Sequence, residues 1–234
     1  MTVIAVLLTF ASGACDVASF TRLGNVFTSV MTGNITVFGL SLARGSGSLA
    51  AHTGAAFAGY VAGVVTGTRI GWHVTSRRPG APSAKAPGGD WPPGMTLTLL
   101  TEVVLFAGVV TGWELTGSRP AGAAQFIILA TAACAMGIQS AAVNQMGLVN
   151  VSTTFLTGTL TGLVSAFARP DRKRAGVRRP GVLLGLLAGA VLAGVFLASV
   201  PAVVPLLPLA GIVSALLLGS SGGHGSSPQG TRRR

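Results

Sequence analysis

Eight apolar segments run through this chain at about 1–20, 26–42, 49–68, 94–115, 121–143, 151–168, 181–200 and 202–219, separated by breaks rich in Gly, Pro and Arg. Most match the ~30 Å hydrocarbon core of a bilayer at 1.5 Å per helical residue. No water is available there to satisfy backbone N–H and C=O groups, so the chain must form helices or a closed barrel. A barrel alternates apolar and polar residues along ~10-residue strands between aromatic girdles. These segments are instead continuously apolar, and only 6% of all residues are aromatic. The expected fold is an all-α polytopic membrane bundle. With 50% hydrophobic and 9% charged residues, the composition points away from a water-soluble domain.

The second and sixth segments are related to each other. VFTSVMTGNITVFGLSL (26–42) aligns without a gap on VSTTFLTGTLTGLVSAFA (151–168), pairing Val26 with Val151, Thr28 with Thr153, Thr32 with Thr157 and Gly33 with Gly158. A fixed spacing of this kind implies an internal duplication. With one gap, Gly13 aligns with Gly137 and Asp16 with Ser140. The third and seventh segments each carry glycines four apart, Gly59, Gly63 and Gly67 in one and Gly181, Gly185 and Gly189 in the other. Such spacing places them on one helix face and lets a neighbouring backbone approach. The chain therefore reads as a single membrane domain over 1–219, with halves at about 1–116 and 121–219. A Gly/Ser tail over 220–234 is expected to be disordered and cytoplasmic.

Segments two and six are short and carry Thr-Gly at their middles. Repeat-built transporters place interrupted helices at corresponding positions of their halves, where freed backbone groups face a ligand. Thr32-Gly33 and Thr157-Gly158 are therefore the expected helix breaks. The expected architecture has six crossings plus two broken or re-entrant segments, with eight crossings as the alternative.

The net charge of +11 fits this picture better than it fits nucleic-acid binding, because the basic residues sit in breaks beside apolar spans. If all eight segments cross, the side holding the termini has 11 basic residues against 5; if two are re-entrant, it has 13 against 3. Both counts place the termini in the cytoplasm, and the second gives the stronger bias. Three crossings per half also make the halves inverted. The first segment lacks a basic stretch before it and reads as a retained span, not a signal peptide.

Two of the five acidic residues, Asp16 and Glu102, lie inside apolar spans. A carboxylate at the centre of a bilayer costs about 2.5–3.5 kcal/mol on insertion scales, so it usually meets a cavity or a partner. Asp16 could instead cap the turn before segment two, and Glu102 could be an acid hydrogen-bonded to a neighbouring helix. The candidate substrate- or ion-binding set is Asp16, Thr32, Gly33, Asn34, Glu102, Gln139, Asn144, Thr157 and Gly158, which offers carboxyl, hydroxyl and amide groups with flexible backbone. The same hydroxyls and glycines would also serve as plain interhelical packing.

Catalytic, metal-binding and cofactor motifs are missing. Cys15 and Cys134 lie in apolar segments without CxxC spacing, and His52, His73 and His224 have no metal-ligand spacing. HExxH, GxSxG, P-loop and dinucleotide fingerprints do not occur. No cofactor is expected, and an enzyme is not the expectation.

SGACDVASF at 12–20, NVFTSVMTGNITVFGL at 25–40, GIQSAAVNQ at 137–145 and TFLTGTLTGL at 154–163 together resemble the YoaK-type family of bacterial membrane proteins, catalogued as a domain of unknown function. The resemblance covers nearly the whole chain. It implies a bacterial inner-membrane protein of about six spans with no established activity. The functional expectation is a small secondary transporter or permease with a midplane polar site at the Thr-Gly breaks, acting on an unnamed small molecule or ion, with a homodimer admitted. The alternative is a membrane scaffold or accessory subunit that binds another membrane protein.

Overall fold

The computed structural model describes residues 2–76, 91–92, 94–146, 158, 160–161, 164 and 178–222. Among them there is no strand. The helices are α1 (Thr2–Arg22), α2 (Met31–Ala43), α3 (Gly47–Ser76), α4 (Met95–Leu115), α5 (Gly122–Gln145), α6 (Arg178–Ser199) and α7 (Leu206–Gly222), with a 3-10 turn at Pro201–Val203 before α7. Six of the described helical stretches are long and apolar enough to cross a membrane, and α2, with 13 residues, is not. The outward surface carries Val104, Ile127, Leu184, Val195 and Leu217, each more than half exposed. A soluble monomer does not offer such a continuous apolar exterior; lipid tails cover it at no cost.

Helix directions follow from contacts at known heights. Gln125 Nε2 donates to the Arg22 carbonyl at 2.9 Å, and Gln139 Nε2 donates to the Leu8 carbonyl at 3.1 Å, so α1 and α5 are antiparallel. Gly59, Gly63 and Gly71 of α3 meet Ala130, Cys134 and Gln145 of α5, so these two run together. Gly185 and Gly189 of α6 meet Val6 and Phe10 of α1, and they also run together. Gly94, just before α4, lies on Gly71 and Val74, and Gly112 lies on Ile128, so α4 climbs as α3 and α5 descend. Trp113 Nε1 donates to the Pro201 carbonyl at 3.0 Å, and Gly219 packs on Trp91, which sets α7 descending. Where α1 begins is the entry end of the bundle; where it finishes, at Arg22, is the distal end.

Segment two thus enters and leaves at one end. Arg22 is distal, and so is the start of α3, because His52 packs beneath Gly24 and its Nε2 lies 3.0 Å from Gln125 Oε1. Between them residues 26–30 are not helical, and they reach down alongside α1 as far as Asp16. Asp16 is six residues, or about 9 Å, below Arg22. From there α2 covers ~20 Å, short of the ~30 Å needed to cross. This is the re-entrant arrangement, with one correction: the helix does not break at Thr-Gly. Thr32 and Gly33 lie in the first turn of α2, and the break falls at residues 26–30. Glycine alone does not end a membrane helix while its neighbours keep their hydrogen bonds. The outside partners that residues 27–29 find decide the matter instead.

The bundle is two three-helix bodies. The most enclosed helices are α1 and α5; α1 packs chiefly with α6 and α7, and α5 with α3 and α4. A methyl group built on Gly13 would strike the Leu186 carbonyl, and one on Gly137 would strike the Tyr60 carbonyl. Likewise Gly185 and Gly189 lie on the Val6 and Phe10 carbonyls, as Gly59 and Gly63 lie on those of Ala130 and Cys134. Each α1 residue in these pairs is 124 residues before its α5 counterpart, and each α3 residue is 126 before its α6 counterpart. The core between the bodies is filled by large side chains, among them Leu8, Leu99, Phe106, Trp113, Leu129 and Met136.

Candidate functional site

Five consecutive non-helical residues inside an apolar bundle leave N–H and C=O groups that lipid cannot satisfy. Asp16 takes up most of the donors. Its Oδ1 accepts the backbone N–H of Thr28 at 2.8 Å and of Ser29 at 2.8 Å, and the Thr28 hydroxyl at 3.0 Å. Its Oδ2 accepts the Ser29 hydroxyl at 2.5 Å. Asn34, one turn into α2, closes the other side: its Oδ1 accepts the Phe27 N–H at 2.8 Å and its Nδ2 donates to the Phe27 carbonyl at 2.7 Å. Ser19 Oγ donates to the Val26 carbonyl at 2.5 Å. Asp16, Ser19, Thr28, Ser29 and Asn34 are all buried. The carboxylate does for this loop what a capping side chain does for a helix end, supplying acceptors for donors that no intrahelical carbonyl reaches.

Beside this loop a groove of about 380 Å³ opens between α1, α6 and the break. That volume lies within the ~300–1,000 Å³ range of small-molecule sites. Gly13, Leu186 and Ala190 form its floor, where the two helices touch backbone to backbone, and Phe20 stacks on Phe27 at 5.0 Å along its wall. Asp16 is its one ionisable lining group. The groove is otherwise apolar and faces outward from the bundle.

A second polar cluster lies deeper. Gln139 Nε2 donates to the Ser12 hydroxyl at 2.8 Å as well as to the Leu8 carbonyl, stitching α5 to α1. Its Oε1 is buried without a partner, as are both carboxyl oxygens of Glu102, among the described residues. Glu102 is fully buried on α4.

The structure brings together some of the candidate set. Asp16 and Asn34 meet at the break, joined by Thr28 and Ser29, which residue patterns alone did not single out. Thr28 was visible as an identity between the two repeat copies; nothing marked Ser29. Gln139 belongs to the deeper cluster with Ser12, and Glu102 is buried on α4; neither lines the groove. Thr32 is exposed, and Gly33 packs on the Phe27 ring, which a Cβ there would approach to 3.2 Å. Neither lines the groove. Asn144 is exposed near the entry end and is not part of either cluster. Gly158 is exposed with open space around it, and Thr157 falls outside the described residues. No group of three or more His, Cys, Asp or Glu suited to a metal occurs among the described residues.

A helical bundle with an apolar exterior, membrane-length helices and a re-entrant segment tied to a buried carboxylate defines a multi-pass integral membrane protein. The chain belongs to the family described as "Protein of unknown function (DUF1275)", whose model matches residues 4–219. It is 30% identical over 159 residues to the "UPF0700 transmembrane protein YoaK" of Bacillus subtilis (strain 168). That match covers 68% of this chain and 63% of the relative, so the aligned part spans less than two thirds of the relative's length. No solved structure matches the chain.

Proposed function

We propose that this protein is a small secondary transporter or permease and not an enzyme, with the groove at Asp16 as its substrate path. The observation that carries this reading is the 380 Å³ groove that opens beside the interrupted segment, with Asp16, whose carboxylate holds that segment, among its lining residues. Two further features support it. The glycine contacts recur between α1–α6 and α5–α3 at constant spacings with α1 and α5 antiparallel, as an inverted internal duplication requires. Inverted repeats around broken segments are a common transporter plan. An apolar lining with one acidic group favours an amphipathic organic solute bearing a hydrogen-bond donor or a positive charge.

Orientation follows from charge. Arg22, Arg44 and Arg119 mark the distal end, and the other thirteen of the 16 basic residues are Arg69 or lie in stretches whose flanking helices start or finish at the entry end. Under the positive-inside rule this distribution favours cytoplasmic termini, in keeping with a bacterial inner-membrane protein. A homodimer is compatible with this arrangement.

The test is uptake by proteoliposomes across a panel of organic cations, neutral amphiphiles and organic acids. At least one should be accumulated by the natural sequence and not by Ala190→Trp, whose indole fills the groove. Asp16→Asn should lower that uptake about tenfold, the worth of one charge-assisted hydrogen bond. Uptake unaffected by Ala190→Trp, or none across the panel, overturns the reading. The scaffold alternative draws on Gly54, Gly108 and Gly194, which have open space around them and form small-residue surface for another membrane helix. It gains if a defined membrane partner is lost on Gly108→Leu while uptake is absent.

A further inference from the structure

The seam between the two three-helix bodies contains more acceptors than donors. On α4, Leu99, Glu102, Phe106, Val109 and Trp113 form one buried stripe. Phe106, Val109 and Trp113 line a cavity of about 20 Å³ together with Cys15 of α1 and Ala132 of α5. Glu102 is one turn below Phe106 on that stripe. Gln139 is seven residues, two helical turns, beyond Ala132, and so it shares Ala132's face. The heights agree as well: Gly112 packs on Ile128, and ten residues along each antiparallel helix bring Glu102 level with Ile138. Glu102 is also close enough to Cys15, next to the Ser12 turn that binds Gln139, for the two to interact electrostatically.

Three fully buried oxygens therefore share one level of the seam on facing helices with no donor among the described residues, Glu102 Oε1 and Oε2 and Gln139 Oε1. The Gln139 amide cannot be turned to cure this, because its Nε2 is held by Leu8 and Ser12. An ionised carboxylate here would be an uncompensated charge in a low-dielectric interior. The carboxylic acid brings the missing donor itself. Hard metal cations take about six oxygen ligands, and among the described residues these three are the buried side-chain oxygens without a partner.

We propose that Glu102 and Gln139 form a proton-binding site at this seam, with the Glu102 acid donating to the Gln139 amide oxygen. Binding adds one proton to a Glu102 carboxyl oxygen, and release returns it to solvent when the bodies part. Of the other ionisable groups, Asp16 is turned to Thr28 and Ser29, Cys134 lies with its backbone against α3, the Tyr60 hydroxyl of α3 donates to Ser140, Glu114 is exposed at the far end of α4, His52 is at the distal end bonded to Gln125, and α7 carries none. Cys15 is the titratable neighbour that faces the site. The site supplies the coupling ion of the transport reading and rests on that reading for its use in a cycle, whereas its protonation does not depend on any substrate.

The experiment is infrared spectroscopy of the full chain in lipid, following the carbonyl stretch of protonated carboxylic acid as pH is raised, with helical circular dichroism recorded in parallel. The natural sequence should show such a band that is lost reversibly while helicity is unchanged. Glu102→Gln, which is isosteric and carries its own donor, should lack that band, and Asp16→Asn should keep it. Gln139→Leu should shift the band to higher frequency, since the acid loses its acceptor. A band absent from the natural sequence, one that persists until the protein unfolds, one lost in Asp16→Asn instead, or one displaced by sodium at constant pH overturns the proposal. Failure of the uptake panel alone leaves these spectra unchanged, which separates the two ideas.

Discussion

Removing the Asp16 carboxylate tests directly what holds the re-entrant segment in place. In Asp16→Ala, the N–H groups of Thr28 and Ser29 lose their acceptor while buried. A buried donor left unsatisfied costs about 1–3 kcal/mol, so the two together cost about 2–6 kcal/mol. The Thr28 and Ser29 hydroxyls can rotate, and Thr28 Oγ1 already lies 3.3 Å from Cys15 Sγ, so they add little. A typical interhelical hydrogen bond in a membrane protein is worth only ~0.6 kcal/mol; the excess expected here comes from orphaning backbone, not from losing a side-chain contact. Asp16→Asn keeps Oδ1 as the acceptor and removes a charge from the bilayer, so its net effect should stay within about 1 kcal/mol of zero. The comparison is made by steric-trap or denaturant unfolding in bicelles. A difference between the two variants below about 1 kcal/mol would refute the idea that Asp16 sustains the break.

Other expectations concern packing, topology and the groove. Gly63→Ala and Gly189→Ala would drive a methyl group into the Cys134 and Phe10 carbonyls and should each cost about 1–3 kcal/mol. Gly108→Ala and Gly194→Ala meet nothing within 4 Å and should be neutral or stabilising by up to about 1 kcal/mol in the same unfolding assay; similar losses at all four would dissolve the interlocked-pair description. With the native cysteines replaced, an impermeant thiol reagent should reach Ser46→Cys from the side opposite to Thr2→Cys, because only α1 and α2 separate the two positions. Labelling of both from one side would make α2 a crossing helix. Ala190→Trp should leave the unfolding free energy within about 1 kcal/mol of the natural sequence, because it extends into open groove and not into packed core; a larger loss would mean that the groove is closed in the folded protein.

Much of the fold was legible in the residues because the bilayer is a severe solvent. Continuous apolar stretches must become helices there, so the span positions and the all-α class follow from hydropathy. The glycines four apart announced close helix contacts, and their recurrence in segments three and seven indicated that those contacts would come twice. Asp16 and Glu102 stood out because a carboxyl in an apolar span is costly wherever it ends up. The family followed from the motifs around Asp16 and Asn34.

Composition and spacing could not say where the second segment breaks. Thr-Gly lowers helix propensity locally, yet Thr32 and Gly33 are helical, because propensities below about 1 kcal/mol yield to tertiary partners. The break instead falls where Asp16 of α1 and Asn34 of α2 can satisfy residues 27–29, a match between side chains that only the packed bundle makes. Sequence likewise grouped Asp16 with Glu102 as two acidic residues at membrane depth. Packing separates them: Asp16 finds four donors beside an outward groove, and Glu102, facing the seam between the two bodies, finds none among the described residues. Burial in a bilayer is a property of a segment and can be read along the chain. The partner a polar atom meets depends on the register and rotation of helices far apart in sequence, and the tertiary structure alone decides it.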